Sequence, residues 1–120
     1  MDNIENIIWD TITKSAKKRF DYSAFEKQLD SPDEIIIDGI VFIIIDEFAK
    51  GESKKHVVTK VLQRALLKGL KWNEFDIIRF VNNTEHQFKV EIYTANVVYQ
   101  MLKDHKDIKE VLTTVNKMLN

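Results

Sequence analysis

The sequence has 120 residues, a formal net charge of -1 and an apolar fraction of 44%. This length suits one domain that buries its own core. With only three glycines and one proline, the chain has few of the turn-forming residues that a fold of many short strands needs. Because there is no cysteine, disulfides, thiol nucleophiles and cysteine-based metal sites are excluded. We therefore expect a single globular domain over residues 1–120. We also expect a cytoplasmic location, since an acidic start without an apolar run differs from a secretion signal.

Helix-start signals recur along the chain, each a short polar residue followed three positions later by an acid or amide. They run from Asp2 to Glu5, Ser23 to Glu26, Ser31 to Glu34, Asn73 to Asp76, Thr84 to Gln87 and Asp107 to Glu110. The apolar residues behind these starts recur at helical spacing, as in Ile4, Ile7, Ile8 and Ile12 after the first and Tyr22, Phe25 and Leu29 around the second. This agreement predicts a mostly helical chain.

The most apolar segment, residues 31–51, fits either a helix or a hairpin. Ser31 as the cap, Pro32 at the first helical position and Gly51 at the end predict a buried helix over 32–50. An Asp-Gly pair at Asp38 and Gly39 is typical of a two-residue hairpin turn, which would instead give strands. A β-branched residue destabilises a helix by only a few tenths of a kcal/mol, whereas burial of each isoleucine stabilises the folded state by about 1.5 to 3 kcal/mol. The helix is therefore favoured, and the segment is too short to span a membrane.

The rest of the chain continues the helical pattern. Ser53 opens a segment, and Gly69 stands at the position of a helix-terminating glycine. A shorter helix is predicted over 73–83, another from Thr84 to Leu102, and a last one after Asp107. We predict an all-α bundle of six or seven helices around the central helix 32–50. The alternative is an α+β fold with a small antiparallel sheet of strands 34–37, 40–45 and 88–94.

Charge is unevenly distributed along the chain. Residues 30–52 contain seven acids and one base, whereas residues 53–71 contain six bases and no acid. On a helix, Lys60, Arg64, Lys68 and Lys71 would form one basic stripe that could bind phosphates or an acidic protein surface. In the simpler interpretation, the acidic and basic helices neutralise each other. The residues predicted to bind a partner are Asp30, Asp33, Glu34, Asp46, Glu47, Lys60, Arg64, Lys68 and Lys71.

The sequence contains no recognisable catalytic or cofactor motif. His56, His86 and His105 lack the spacing of a metal site and are expected at the surface or near helix ends. No nucleophile elbow or phosphate-binding glycine loop is present, so we predict no enzyme activity, cofactor or metal. The favoured hypothesis is a small interaction protein, such as a bacterial or phage inhibitor, immunity protein or antitoxin, that blocks a protein partner. The alternative is a nucleic-acid-binding regulator that uses the basic helix 53–71.

Overall fold

In the computed structural model, which describes residues 3–21 and 33–120, the chain forms six α-helices, and these described residues contain no strand. The helices are α1 (Asn3–Arg19), α2 (Glu34–Ala49), α3 (Lys54–Leu67), α4 (Glu74–Gln87), α5 (Lys89–Lys103) and α6 (Ile108–Leu119). The predicted all-α bundle is confirmed, and the alternative sheet is wrong because its three segments lie in α2 and at the start of α5. The predicted helix around Ser23 and the caps at Asp2 and Ser31 lie outside the described residues.

Helix α2 occupies the centre of the bundle, as predicted, and packs against α1, α3, α4 and α5. Its buried residues are Ile37, Ile40, Val41, Ile44, Ile45 and Ala49. The helix begins two residues later than predicted, at Glu34, and Asp33 is its N-cap: the Asp33 carboxylate accepts a hydrogen bond of 2.8 Å from the backbone N–H of Ile35. Burial on several sides offsets the small helix penalty of the isoleucines.

Glycines in the left-handed conformation end two helices where the sequence predicted an end. At the end of α2, the N–H of Gly51 (φ +85°) donates to Phe48 O, and the N–H of Glu52 donates to Glu47 O. Gly69, with φ +73°, ends α3 in the same way. This pair of hydrogen bonds defines a Schellman motif, which satisfies carbonyls that the helix leaves free.

Alanine substitutions at Gly39 and Gly51 are expected to change stability in opposite directions. Gly39 is exposed inside α2, and an added Cβ there meets no atom within 4 Å, so Gly39→Ala should stabilise by about 1 kcal/mol. Gly51 has equal space but a positive φ, so Gly51→Ala should destabilise by about 1 kcal/mol. Urea denaturation followed by circular dichroism measures both, and a shift of the same sign in the two variants would contradict the assignment.

The predicted helix start at Thr84 is wrong. Helix α4 runs through this position to Gln87, and Thr84 is fully buried inside it. The chain then turns at Phe88, and α5 begins at Lys89 without a side-chain cap. A threonine with a glutamine three positions later is a common pattern that also occurs within helices. The other predicted starts are confirmed, since Ser53, Asn73 and Asp107 cap α3, α4 and α6.

The described residues form two neighbouring hydrophobic clusters. The first joins α2, α3 and α4 and includes Ile44, Val61 and Phe80. The second joins α1, α5 and α6 and includes Ile12 and Val115. Helix α5 packs against α2 and α6, so it connects the two clusters. Among the helices of residues 3–21 and 33–120, none has both the length and the apolar character of a membrane span.

Candidate partner-binding surface

A groove runs between α2 and α3 on the surface of the first cluster. It consists of two adjoining cavities of about 340 and 310 Å³, which share Ile43 and Arg64 in their walls. We define the α2–α3 groove by its main lining side chains, which are Ile35, Phe42, Ile43 and Glu47 of α2 and Lys60, Arg64, Leu67 and Lys68 of α3 and its cap. The groove therefore combines an apolar surface with a row of cations.

The apolar part of the groove exists because α2 and α3 both carry apolar side chains on faces that no neighbouring helix of the described residues covers. Ile35 is 79% exposed and Leu67 is 76% exposed, although both belong to helices whose other faces are buried. A helix that is apolar on all sides is usually covered on all sides. Ile35 and Leu67 lie in the walls of the two adjoining cavities, and large exposed apolar patches mark interaction sites in soluble proteins.

The basic stripe forms the α3 side of this groove. Lys60 and Arg64 lie one turn apart, Lys68 follows at the C-cap, and all three are exposed. Helix α3 ends at Leu67, so Lys71 lies beyond Gly69 and does not extend the stripe along the helix. Within the described residues, none of these four cations has a carboxylate within 4.0 Å. The expected neutralisation by the acidic helix therefore does not occur through direct ion pairs in this part of the chain.

The predicted acidic residues that the structure describes contact other groups or lie apart from the stripe. Asp33 caps α2, and Glu34 is exposed in its first turn. Asp46 accepts a hydrogen bond of 2.5 Å from the Tyr99 hydroxyl and lies 3.0 Å from the Lys50 ammonium, so it connects α2 to α5. Asp30 lies outside the described residues. Of the predicted acids that the structure describes, only Glu47 lines the groove.

Alkaline conditions are expected to weaken the Asp46 contact. Burial and the hydrogen bond to Asp46 raise the pKa of Tyr99 above its ordinary value of about 10, so the folded state holds this proton more tightly than the unfolded state. This stabilisation is fully present below about pH 10 and is lost as the pH rises towards the folded-state pKa. The hydrogen bond to Asp46 also raises the pKa of Lys50, which acts in the same direction.

We therefore expect the free energy of unfolding to fall between about pH 10 and 12, and to fall less steeply in Tyr99→Phe. Urea denaturation at a series of pH values measures this slope. Tyr93→Phe, at an exposed position of the same helix, is the control and should keep the parent profile. Equal slopes in Tyr99→Phe and the parent protein would contradict the assignment.

His56 lies between two carboxylates at the α2–α3 junction, next to the groove. Its Nε2 is 3.3 Å from Glu47 Oε2, and its Nδ1 is 3.8 Å from Glu52 Oε2. Ligand atoms of the three residues lie within 4.8 Å of one another, a grouping that the sequence did not predict because Glu47 comes from the preceding helix. The two ring nitrogens therefore face different carboxylates, one from the preceding helix and one four residues earlier in the chain.

The other two histidines have the surface and capping positions that the sequence predicted. His86 is exposed in the last turn of α4. His105 follows the C-cap of α5 with φ 60°, and its N–H donates to Leu102 O in a third Schellman motif. Neither histidine belongs to a group of three or more possible metal ligands in the described part of the chain.

The sequence did not predict the apolar half of the groove. Leu66 and Leu67 are adjacent on α3, so they point in directions about 100° apart, and both are exposed. This adjacency is the local signal that one of the two leucines faces away from the core.

Comparison with known proteins gives no relative: no protein-family model, curated protein or solved structure matches this chain.

Proposed function

We propose that this chain is a small non-enzymatic interaction protein that binds a protein partner through the α2–α3 groove. The observation that supports this most directly is the position of exposed Ile35 and Leu67 beside three cations without ion-pair partners in the described residues. An apolar centre beside polar groups is typical of protein interfaces. The unpaired cations favour an acidic partner surface.

In its most specific form, the proposal is that binding blocks the partner, as a bacterial or phage inhibitor, immunity protein or antitoxin does. A groove between two packed helices needs little rearrangement to bind, which suits a protein that acts by occupying a surface. A blocking function would appear as loss of the partner's own activity at one equivalent of this protein.

A nucleic-acid-binding function is the second candidate, because the basic stripe lacks counter-ions in the described residues. Three phosphate contacts would give a slope of about -2.7 in log K against log salt on double-stranded DNA. The exposed Ile35 and Leu67 beside the stripe count against this function, since phosphates do not compensate for buried apolar surface.

The test uses two pairs of variants in affinity capture from the native cell, with a gel-shift assay on the same preparation. Leu67→Gln alters the groove, and Leu66→Gln is its matched control, since Leu66 is the adjacent exposed leucine and does not line the groove. The charge-reversal triple Lys60→Glu, Arg64→Glu and Lys68→Glu is compared with a triple of equal charge change at exposed positions elsewhere, which are Lys103, Lys106 and Lys117.

We expect one stoichiometric protein that both groove variants lose and both controls retain, with a fall in affinity of about tenfold or more for Leu67→Gln. Retention of that protein by both groove variants would refute the proposal. Retarded DNA that the groove triple loses, and Leu67→Gln keeps, would support the second candidate instead.

A further inference from the structure

We infer that the segment of the partner that fills the α2–α3 groove is an acidic amphipathic α-helix of about three turns. This inference rests on the proposed function and specifies the chemistry of the partner. It depends on the type of surface that the described residues offer, on the length of the groove and on the spacing of its cations.

The type of surface favours a helix over an extended peptide. Extended peptides bind most often by adding a strand to a sheet edge, and residues 3–21 and 33–120 contain no strand. The groove lies between two packed helices, α2 and α3, whose side-chain ridges suit a third helix. Its apolar lining side chains are aliphatic apart from the half-buried Phe42, unlike the aromatic-rich grooves that bind proline-rich segments.

The length of the groove gives the length of the helix. The α2 side extends from Ile35 to Glu47, which is about 18 Å at 1.5 Å per residue. A helix of about 12 residues covers this distance. Apolar side chains at positions i, i+4 and i+7 of that helix would contact exposed Ile35 and Leu67 and the half-buried Ile43 between the two cavities.

The cations determine the charge of the helix. Lys60, Arg64 and Lys68 repeat every four residues along about 12 Å of the groove wall. Acidic residues at j, j+4 and j+8, beside the apolar positions of a roughly aligned helix, would repeat with the same period and pair with them. A basic or neutral helix would bury or crowd these cations without compensation, so the groove selects against it.

The inference is tested by peptide selection on the full chain. The probe is a phage-displayed library of 14-residue helical peptides whose outward positions are randomised among acidic, basic, polar and apolar residues. Peptides are selected on the parent protein and counter-selected on Leu67→Gln, whose folding is checked against Leu66→Gln by thermal denaturation. Selected peptides are then labelled with fluorescein, and their affinity is measured by fluorescence anisotropy.

We expect the groove-dependent peptides to have acids four residues apart beside an apolar stripe. Affinity should fall about tenfold in Arg64→Glu and recover when the paired acid of the peptide is changed to lysine. Groove-dependent peptides without an excess of acids would overturn this inference and leave the proposed function standing. A library without any groove-dependent binder would overturn both. Light scattering that shows a dimer for the parent chain and a monomer for Leu67→Gln would also overturn both.

Discussion

Replacing Phe80 with alanine is expected to lower the free energy of unfolding by about 4 kcal/mol. Phe80 is 1% exposed in the first hydrophobic cluster, and its ring centroid lies 5.3 Å from that of Trp72. The substitution removes a large apolar side chain and leaves a cavity that the surrounding helices fill only in part. Because a domain of this size has about 5 to 15 kcal/mol of total stability, the variant should unfold at a much lower concentration of urea.

Phe75 provides the matched control on the same helix. It is 68% exposed, and its ring lies 5.3 Å from the guanidinium of Arg79. We expect Phe75→Ala to cost less than about 1 kcal/mol, which is the value of an exposed cation–π contact. Urea denaturation followed by circular dichroism measures both variants. Equal losses at Phe75 and Phe80 would show that α4 faces the core differently from the orientation described above.

Replacing Arg19 with alanine is expected to cost about 3 kcal/mol, because it leaves a buried carboxylate without its cation. Glu91 of α5 is fully buried, and Arg19 Nη1 lies 3.1 Å from its Oε1 and 3.2 Å from its Oε2. The remaining partner in the described residues is the Ser15 hydroxyl, which donates at 3.1 Å. Arg19 also donates to Gln87 O, and the Gln87 side chain donates back to Arg19 O. These contacts hold the end of α1 against the α4–α5 turn.

A double substitution separates the charge effect from the loss of packing. Arg19→Ala combined with Glu91→Gln should be about 1 to 2 kcal/mol more stable than Arg19→Ala alone, since the buried group is then neutral. Lys18→Ala is the control at the neighbouring exposed position and should change stability by less than about 0.5 kcal/mol. If the double variant is no more stable than the single one, the cost at Arg19 arises from packing and the ion pair contributes little.

The candidate surface was predictable in part. The four-residue spacing of Lys60, Arg64 and Lys68 predicted a basic stripe, and the structure places these three side chains along one groove. The sequence did not show that Ile35 and Leu67 would lie exposed beside them. Residue spacing identifies the apolar faces of each helix, but it does not identify the neighbour that covers each face.

The Glu91 contact and the Thr84 error have related causes. Glu91 reads as an ordinary helix-surface acid, and only the packing of α1 against α5 brings Arg19 to it across 72 positions of sequence. Thr84 reads as a cap, yet α4 continues past it because Val81, Phe88 and their neighbours are buried on both sides of it. In both cases burial by distant residues decided the role of the side chain.

The sequence by itself determined the helical class, the start of three helices and the ends of α2 and α3. Caps and left-handed glycines act through hydrogen bonds that reach about four or five residues along the chain, so local residues specify them. Tertiary structure alone decided that α2 and α3 would leave a groove open, that no carboxylate of the described residues would pair with its cations, and that Glu91 would be buried against Arg19. These features depend on which helices pack against each other. That packing is determined by contacts between residues far apart in sequence, which residue spacing along the chain does not specify.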